Sequence, residues 1–192
     1  FFVEALENAG IKQLNQKRKE FVVKNVISYK DNATGSEITI IPSNHYMVTT
    51  MVDFGTKILG TQNATLENIS DFKDNISSCR TFSFLHEIEM LLNKGLIKGG
   101  DLNNAIVYVD KPLSYETMSK LKKAFNKDKI SVKSNGILDN LTLLYPNEAA
   151  RHKLLDVIGD LALIGTRVRG KVIATKPGHY INTKFSKKMK NI

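Results

Sequence analysis

The sequence predicts an α+β fold. Residues 21–53 read as successive strands, amphipathic helical patterns occupy 84–94, 114–125 and 148–163, and short β-branched runs recur between and after them. No internal repeat or low-complexity tract interrupts this succession. The chain of 192 residues, 42% hydrophobic, suffices for one large domain or for one domain with part of another.

Phe2, Val3 and Leu6, stopped by Gly10, read as the end of a helix, and NQKRKE (15–20) reads as a polar linker. FVVKNVISYK (21–30), a turn at DNATGS, EITIIPSN (37–44) and HYMVTTMVDF (45–54) follow as strands, rich in Val, Ile, Thr and Tyr with partial alternation. A weak strand is expected at 60–68 and a short helix at 71–79. In SFLHEIEMLLNKG, Phe84, Ile88, Leu91 and Leu92 make one apolar stripe with Gly95 as C-cap. NNAIVYVD (103–110) reads as a buried strand. SYETMSKLKKAF (114–125) reads as a helix opening on Ser114…Thr117. Short strands near 130–133 and 141–145 precede a helix over 148–163. The strand VRGKVIATK (168–176) and the helix GHYINTKFSKKM (178–189) complete the chain.

A single cysteine, Cys79, excludes an internal disulfide framework and suits a reducing compartment, so a cytoplasmic protein is expected. The Asn-x-Ser/Thr triplets at Asn63, Asn75 and Asn140 are then chance matches. No run of about 18 apolar residues exists to cross a membrane, and no basic-then-apolar leader opens the chain. The first residues lack a Met and start directly on a helical pattern, as in a piece of a longer protein. The net charge of +9 and a pI near 9.5 favour anionic partners. Part of that excess is local, in the tail KFSKKMKN, and the aromatic and Cys/His fingerprints of nucleic-acid binding are absent.

RHKLLDVIGD (151–160) carries the chemistry. His152 and Asp156 stand four apart and share a helix face, a spacing that suits one metal ion but by itself more often marks a plain surface pair. Leu154, Leu155, Ile158, Leu161 and Leu163 make most of that helix apolar, so His152, Asp156 and Asp160 are not solvent decoration; Gly159 and Ala162 would permit close packing. In TKPGHYIN, His179 starts a helix, where the positive end disfavours imidazolium unless a carboxylate such as Asp160 supports it; an N-cap or packing histidine is the equal alternative. Thr81 in RTFSF can donate to an oxyanion or merely end a strand. His86, Glu87 and Glu89 are rival metal ligands, facing opposite the apolar stripe; His45 reads as structural.

Together, RTFSFLHEIEMLLNKGLIKGGDLNNAIVYVD, ARHKLLDVIGDLALIG and KPGHYINTK, in this order, resemble the UDP-3-O-acyl-N-acetylglucosamine deacetylases. These are the zinc amidases that commit Gram-negative bacteria to lipid A synthesis. The resemblance implies two similar domains, each a β-sheet layered with helices, with the active site between them. Residues 1–14 would be the last helix of the first domain, 15–20 a linker and 21–192 the second domain. A β-α-β insert at about 82–109 would form a passage for the substrate's acyl chain.

The resemblance also implies roles. His152 and Asp156 are zinc ligands, while the third ligand and a glutamate base belong to the first domain of the same enzyme. Thr81 stabilises the oxyanion, and His179, supported by Asp160, serves the leaving amine. Lys153, Phe54, Phe82 and Phe84 meet the substrate, a UDP-sugar whose negative charge suits this basic chain better than nucleic acid. Ser83 departs from the family's usual glycine. A long 111–147 stretch and the basic tail resemble the Bacteroidetes form fused to a 3-hydroxyacyl-acyl-carrier-protein dehydratase. The chain alone is expected to be inactive. The rival reading is a non-catalytic module that grips an anion or RNA through the Lys-rich tail.

Overall fold

The structure, a computed structural model, describes residues 2–94, 104–125, 128–139 and 141–192. The chain divides into two compact units, the first from Phe1–Val52, Asn63–Cys79 and Ala150–Ile192, the second from Asp53–Gln62 and Arg80–Ala149. The α+β expectation holds: a sheet and several helices make up the molecule. No helix among the described residues is long and apolar enough to cross a membrane.

The first unit opens with α1 (Phe2–Ala9), on which no residue is buried; Glu7 pairs with Lys73 at 2.7 Å. Its sheet comprises β1 (Glu20–Val22), β2 (Ile27–Asp31), β3 (Ser36–Ile41), β4 (Tyr46–Asp53), β5 (Thr61–Leu66) and β8 (Arg167–Thr175). The order is β2-β3-β8-β4-β5, with β1 also on β8. β2 and β3 form a hairpin because Asp31 takes hydrogen bonds from the Ala33 N–H (3.1 Å) and Thr34 hydroxyl (2.7 Å), while Gly35 supplies φ 69°. The single strand expected over 21–30 is corrected to two. Phe21 and Val22 run parallel to β8, whereas Ile27–Asp31 pair antiparallel with β3, so the chain must change partners between them.

β8 is the hub, antiparallel to β3 and parallel to β4 and β1. Its residues alternate in burial, with Val168, Gly170, Val172 and Ala174 inward. That face, with Ile38, Ile40, Val48 and Val52, packs on α5 (Glu148–Ala162) through Leu154, Val157 and Leu161, and on α6 (His179–Lys190) through Ile181, Phe185 and Met189. The Thr50 hydroxyl donates to the Ala150 carbonyl at 3.0 Å and ties β4 to α5. Two packing expectations are corrected: Gly159 is exposed with nothing near its hydrogen, and Leu163 lies beyond α5, exposed. The helix expected at 71–79 is shorter, a 3-10 turn at Ile69–Asp71 leading into α2 (Phe72–Asn75).

In the second unit β6 (Thr81–Phe84) and β7 (Ala105–Tyr108) pair in parallel, with α3 (Leu85–Asn93) in the intervening chain. The expected Gly95 cap, the Leu92 side chain and Asn140 lie outside the described residues. Phe84 ends β6 rather than joining the α3 stripe; it packs with Leu59, Ile106 and Tyr108, while Leu85 and Ile88 pack with Val107 and Leu121. Glu87 reaches back from the first turn of α3 to the Phe84 N–H at 2.9 Å, one half of a capping box, and Ser83 donates to the same oxygen at 2.9 Å. Ser114 caps α4 (Tyr115–Phe125), accepting from the Thr117 N–H at 3.0 Å. The strands expected near 130–133 and 141–145 do not form. Among the described residues this region forms the isolated bridges Val132–Leu138 and Tyr108–Ile137, and the carbonyl of Thr142 and N–H of Leu144 are committed to Arg80 and Glu148 instead.

Candidate active site

α5 buries Leu154, Val157 and Leu161 along one side, and this fixes where its polar residues point. His152, Asp156 and Asp160, spaced by four, form one stripe whose side chains are only 16%, 10% and 15% exposed. His152 Nε2 stands 3.6 Å from Asp156 Oδ1. The other oxygen of Asp156 accepts from Lys153 Nζ at 2.9 Å. His152 Nδ1 faces the Cys79 carbonyl at 3.4 Å. A carbonyl only accepts, so the ring proton belongs on Nδ1 and the Nε2 lone pair faces Asp156. Burial lowers the His152 pKa below its ordinary value, against the raising effect of Asp156, and so favours the neutral imidazole that a metal requires.

The donor set fits zinc. Zn–N and Zn–O bonds near 2.1 Å at a tetrahedral angle put the two donors roughly 3.4 Å apart, close to the observed 3.6 Å. A carbonyl behind the far ring nitrogen and a lysine on the second carboxylate oxygen are the outer contacts that orient such ligands. Among the described residues no three of His, Cys, Asp and Glu converge as a metal-binding group. The rivals on α3 have other partners: His86 bonds Asp110 at 2.8 Å, Glu87 caps its helix, and Glu89 accepts from Thr117.

One turn beyond Asp156, Asp160 Oδ2 lies 2.8 Å from His179 Nδ1. His179 is the first residue of α6 after the extended Gly178, and its ring is largely exposed. Asp160 Oδ2 also accepts from Asn182 Nδ2 at 2.8 Å. Just upstream, Lys176 adopts φ 50°, a strained value for a side-chain-bearing residue. Lys176 and Asn182 both lie within the KPGHYINTK stretch, but the sequence assigns neither a role; a positive φ leaves no trace in a Lys-Pro-Gly turn.

The second unit holds the remaining candidates. Thr81 is exposed at the start of β6. Phe82 and Phe84 are two apart on that strand, and Phe54 meets both edge-on with centroids 5.4 and 5.6 Å away. Tyr108 packs against the same two rings, and burial, then the Glu148 carboxylate, push its phenol pKa up to about 12. Arg80, from the same RTFSF stretch, clamps the buried Glu148 through Nε (2.8 Å) and an Nη (2.9 Å). Glu148 was not legible as a partner, because a first-turn glutamate usually serves the helix dipole in solvent. In the first unit a cavity of about 420 Å³, lined by Arg18, His45, Tyr46, Arg167 and Arg169 among others, includes none of His152, Asp156, Asp160 or His179.

The sequence profile of the LpxC family, UDP-3-O-acyl N-acetylglycosamine deacetylase, matches residues 1–125 and 114–191. A protein of Bacteroides thetaiotaomicron named bifunctional enzyme LpxC/FabZ is 42% identical over 190 residues, covering 99% of this chain and 41% of the relative. Its namesake in Porphyromonas gingivalis is 40% identical, covering 97% of this chain and 40% of the relative. A UDP-3-O-acyl-N-acetylglucosamine deacetylase of Geotalea uraniireducens is 35% identical over 185 residues, covering 96% of this chain and 52% of the relative. The chain thus spans two fifths to one half of the length of these relatives. With the chain itself matched from residue 1 to residue 191, it belongs to the UDP-3-O-acyl-N-acetylglucosamine deacetylase family.

Proposed function

We propose that this chain carries part of the active site of a zinc-dependent amidohydrolase. The reaction is hydrolysis of the N-acetyl group of UDP-3-O-acyl-N-acetylglucosamine, the committed step of lipid A synthesis, in the cytoplasm. One observation carries the reading: a single helix stripe presents His152 and Asp156 at a zinc-compatible spacing, followed by an Asp160–His179 pair. Family membership and the names of the relatives support it.

Zinc bound to His152 Nε2 and Asp156 Oδ1 would polarise the amide carbonyl and acidify a water. Lys153 holds Asp156 Oδ2 and so leaves Oδ1 as the available donor, and its ammonium meets the substrate. Thr81 donates its hydroxyl to the oxyanion. His179 faces Asp160 through Nδ1, so Nε2 is the nitrogen that delivers a proton to the departing amine. Acetate and the free 2-amino sugar are the products. Phe54, Phe82 and Phe84 give apolar contact to the substrate, and about 82–109 forms the acyl passage.

In this reading residues 1–14 close the first domain, 15–20 link, and 21–192 form the second. The third ligand and the general base come from the first domain of the same polypeptide. Fusion to a second enzyme, which the resemblance makes a dehydratase, is supported by relatives named bifunctional LpxC/FabZ. In the full-length enzyme, His152→Ala and Asp156→Ala should each lower zinc per protein measured by mass spectrometry; retention of full metal content sinks the ligand assignment. The isolated chain should show no deacetylation, and turnover by it alone would refute the division of the site.

A further inference from the structure

We propose that Asn182 is a positioning residue that clamps Asp160 against His179. The inference rests on the proton-donor reading of His179 given above. Asn182 lies one turn after His179 on α6 and is wholly buried. Its Nδ2 donates to Asp160 Oδ2 at 2.8 Å, the same oxygen that His179 Nδ1 meets at 2.8 Å.

The other end of the amide carries the argument. Asn182 Oδ1 is buried and has no hydrogen-bond partner. A buried unpaired acceptor is unfavourable, and an isolated one in a folded protein calls for an explanation. Rotating the amide by half a turn would not help, because Oδ1 would then face the Asp160 carboxylate, oxygen against oxygen. The orientation is therefore dictated by Asp160, and the orphaned oxygen is tolerated because the donor is needed there.

The backbone holds Asn182 in place. Its N–H donates to the Gly178 carbonyl at 3.0 Å, and the Ser186 hydroxyl lies within reach of both the Asn182 carbonyl (2.9 Å) and the Asp160 carbonyl (3.1 Å). Ser186 thus ties the backbones of α5 and α6 together beside the pair. Two donors on one carboxylate oxygen hold the Asp160 carboxylate in place, and Asp160 in turn orients the ring of His179, which is otherwise 71% exposed.

The test uses the full-length enzyme with Asn182→Leu, similar in size without the donor, and Asn182→Asp, isosteric with only acceptors at neutral pH. Both should lower kcat by roughly 10- to 100-fold, the range for outer contacts that orient a catalytic group, with KM and zinc content held. The proton on His179 Nδ1, downfield in the unmodified enzyme's NMR spectrum, should move upfield or vanish by exchange. A His179→Ala control separates the two ideas. If that variant keeps full activity, the proton-donor reading falls. If it is impaired while both Asn182 variants keep normal kcat and the downfield proton, the clamp falls. Should the variants fail to fold, the unmodified enzyme still decides: the Asn182 side-chain amide protons should exchange slowly, and exchange as fast as in an exposed asparagine overturns the proposal.

Discussion

Replacing Arg80 by methionine keeps an apolar stem of similar reach and deletes the guanidinium that faces Glu148. The Glu148 side chain is fully buried and accepts four hydrogen bonds: Arg80 Nε at 2.8 Å, an Arg80 Nη at 2.9 Å, the Arg80 N–H at 3.0 Å and the Leu144 N–H at 2.8 Å. The variant loses the first two and the guanidinium charge, and the Thr142 carbonyl loses its 2.7 Å donor. Breaking a buried ion pair from one side costs about 3–5 kcal/mol. The two surviving backbone donors place the expected loss near the lower end, about 3 kcal/mol. Burial alone raises the Glu148 pKa, but the bonds from Arg80 and Leu144 together hold it below the ordinary 4.5. In the parent, stability from this carboxylate is therefore present above that ordinary value and is lost as pH falls through the lower folded value. Without Arg80, burial pushes Glu148 upward, so the destabilisation is largest at neutral pH and shrinks as acid neutralises the group. The chain has no Trp, so urea unfolding is followed by far-ultraviolet circular dichroism. A loss below about 1 kcal/mol, the value of an exposed pair, or one unchanged on acidification, refutes the reasoning.

Gly170→Ala should destabilise by about 1–3 kcal/mol through overpacking, because the new Cβ would stand 2.8 Å from Val23 Cγ2 and 3.1 Å from Ile40. The same urea experiment checks it, and an unchanged midpoint contradicts the close packing of β8. Absorbance titration of the tyrosines should show Tyr108 ionising only at about 12 and Tyr46 pushed upward too by burial. Tyr108→Phe should remove one late step from the folded protein's curve, and loss of a step at the ordinary tyrosine value would show that the phenol is not desolvated.

What was legible in the sequence was local. The 3.6-residue period of 148–163 gives α5, and the four-residue spacing of His152, Asp156 and Asp160 gives their shared stripe without any tertiary knowledge. Helix-end electrostatics singled out a carboxylate for His179, and Asp160 stands against it at 2.8 Å. What was not legible depended on partners distant in the chain. FVVKNVISYK has continuous strand character, yet its halves follow β8 and β3, and no local signal marks the break. The run 141–145 is apolar enough for a strand, but its backbone groups serve an ion pair whose members lie at 80 and 148. Asn182 is one of many polar residues in the sequence of α6, and only the fold shows which carboxylate it meets.

The place of β8 sets the order in which this protein can be made. Tyr46 finds its neighbour Gly170, and Ile38 finds Ala174, only after the second unit has been translated. Ribosomes add about 5–20 residues per second, so β3 and β4 wait for seconds with their inner edges open. Most of the second unit is one continuous stretch that can mature during that interval, while the zinc-compatible helix stays unsupported until β8 slots in. A nascent chain stalled before residue 167 therefore exposes two unpaired strand edges and offers α5 only separated strands without the β8 that joins them. Chaperone demand and proteolytic loss during synthesis should concentrate in that window.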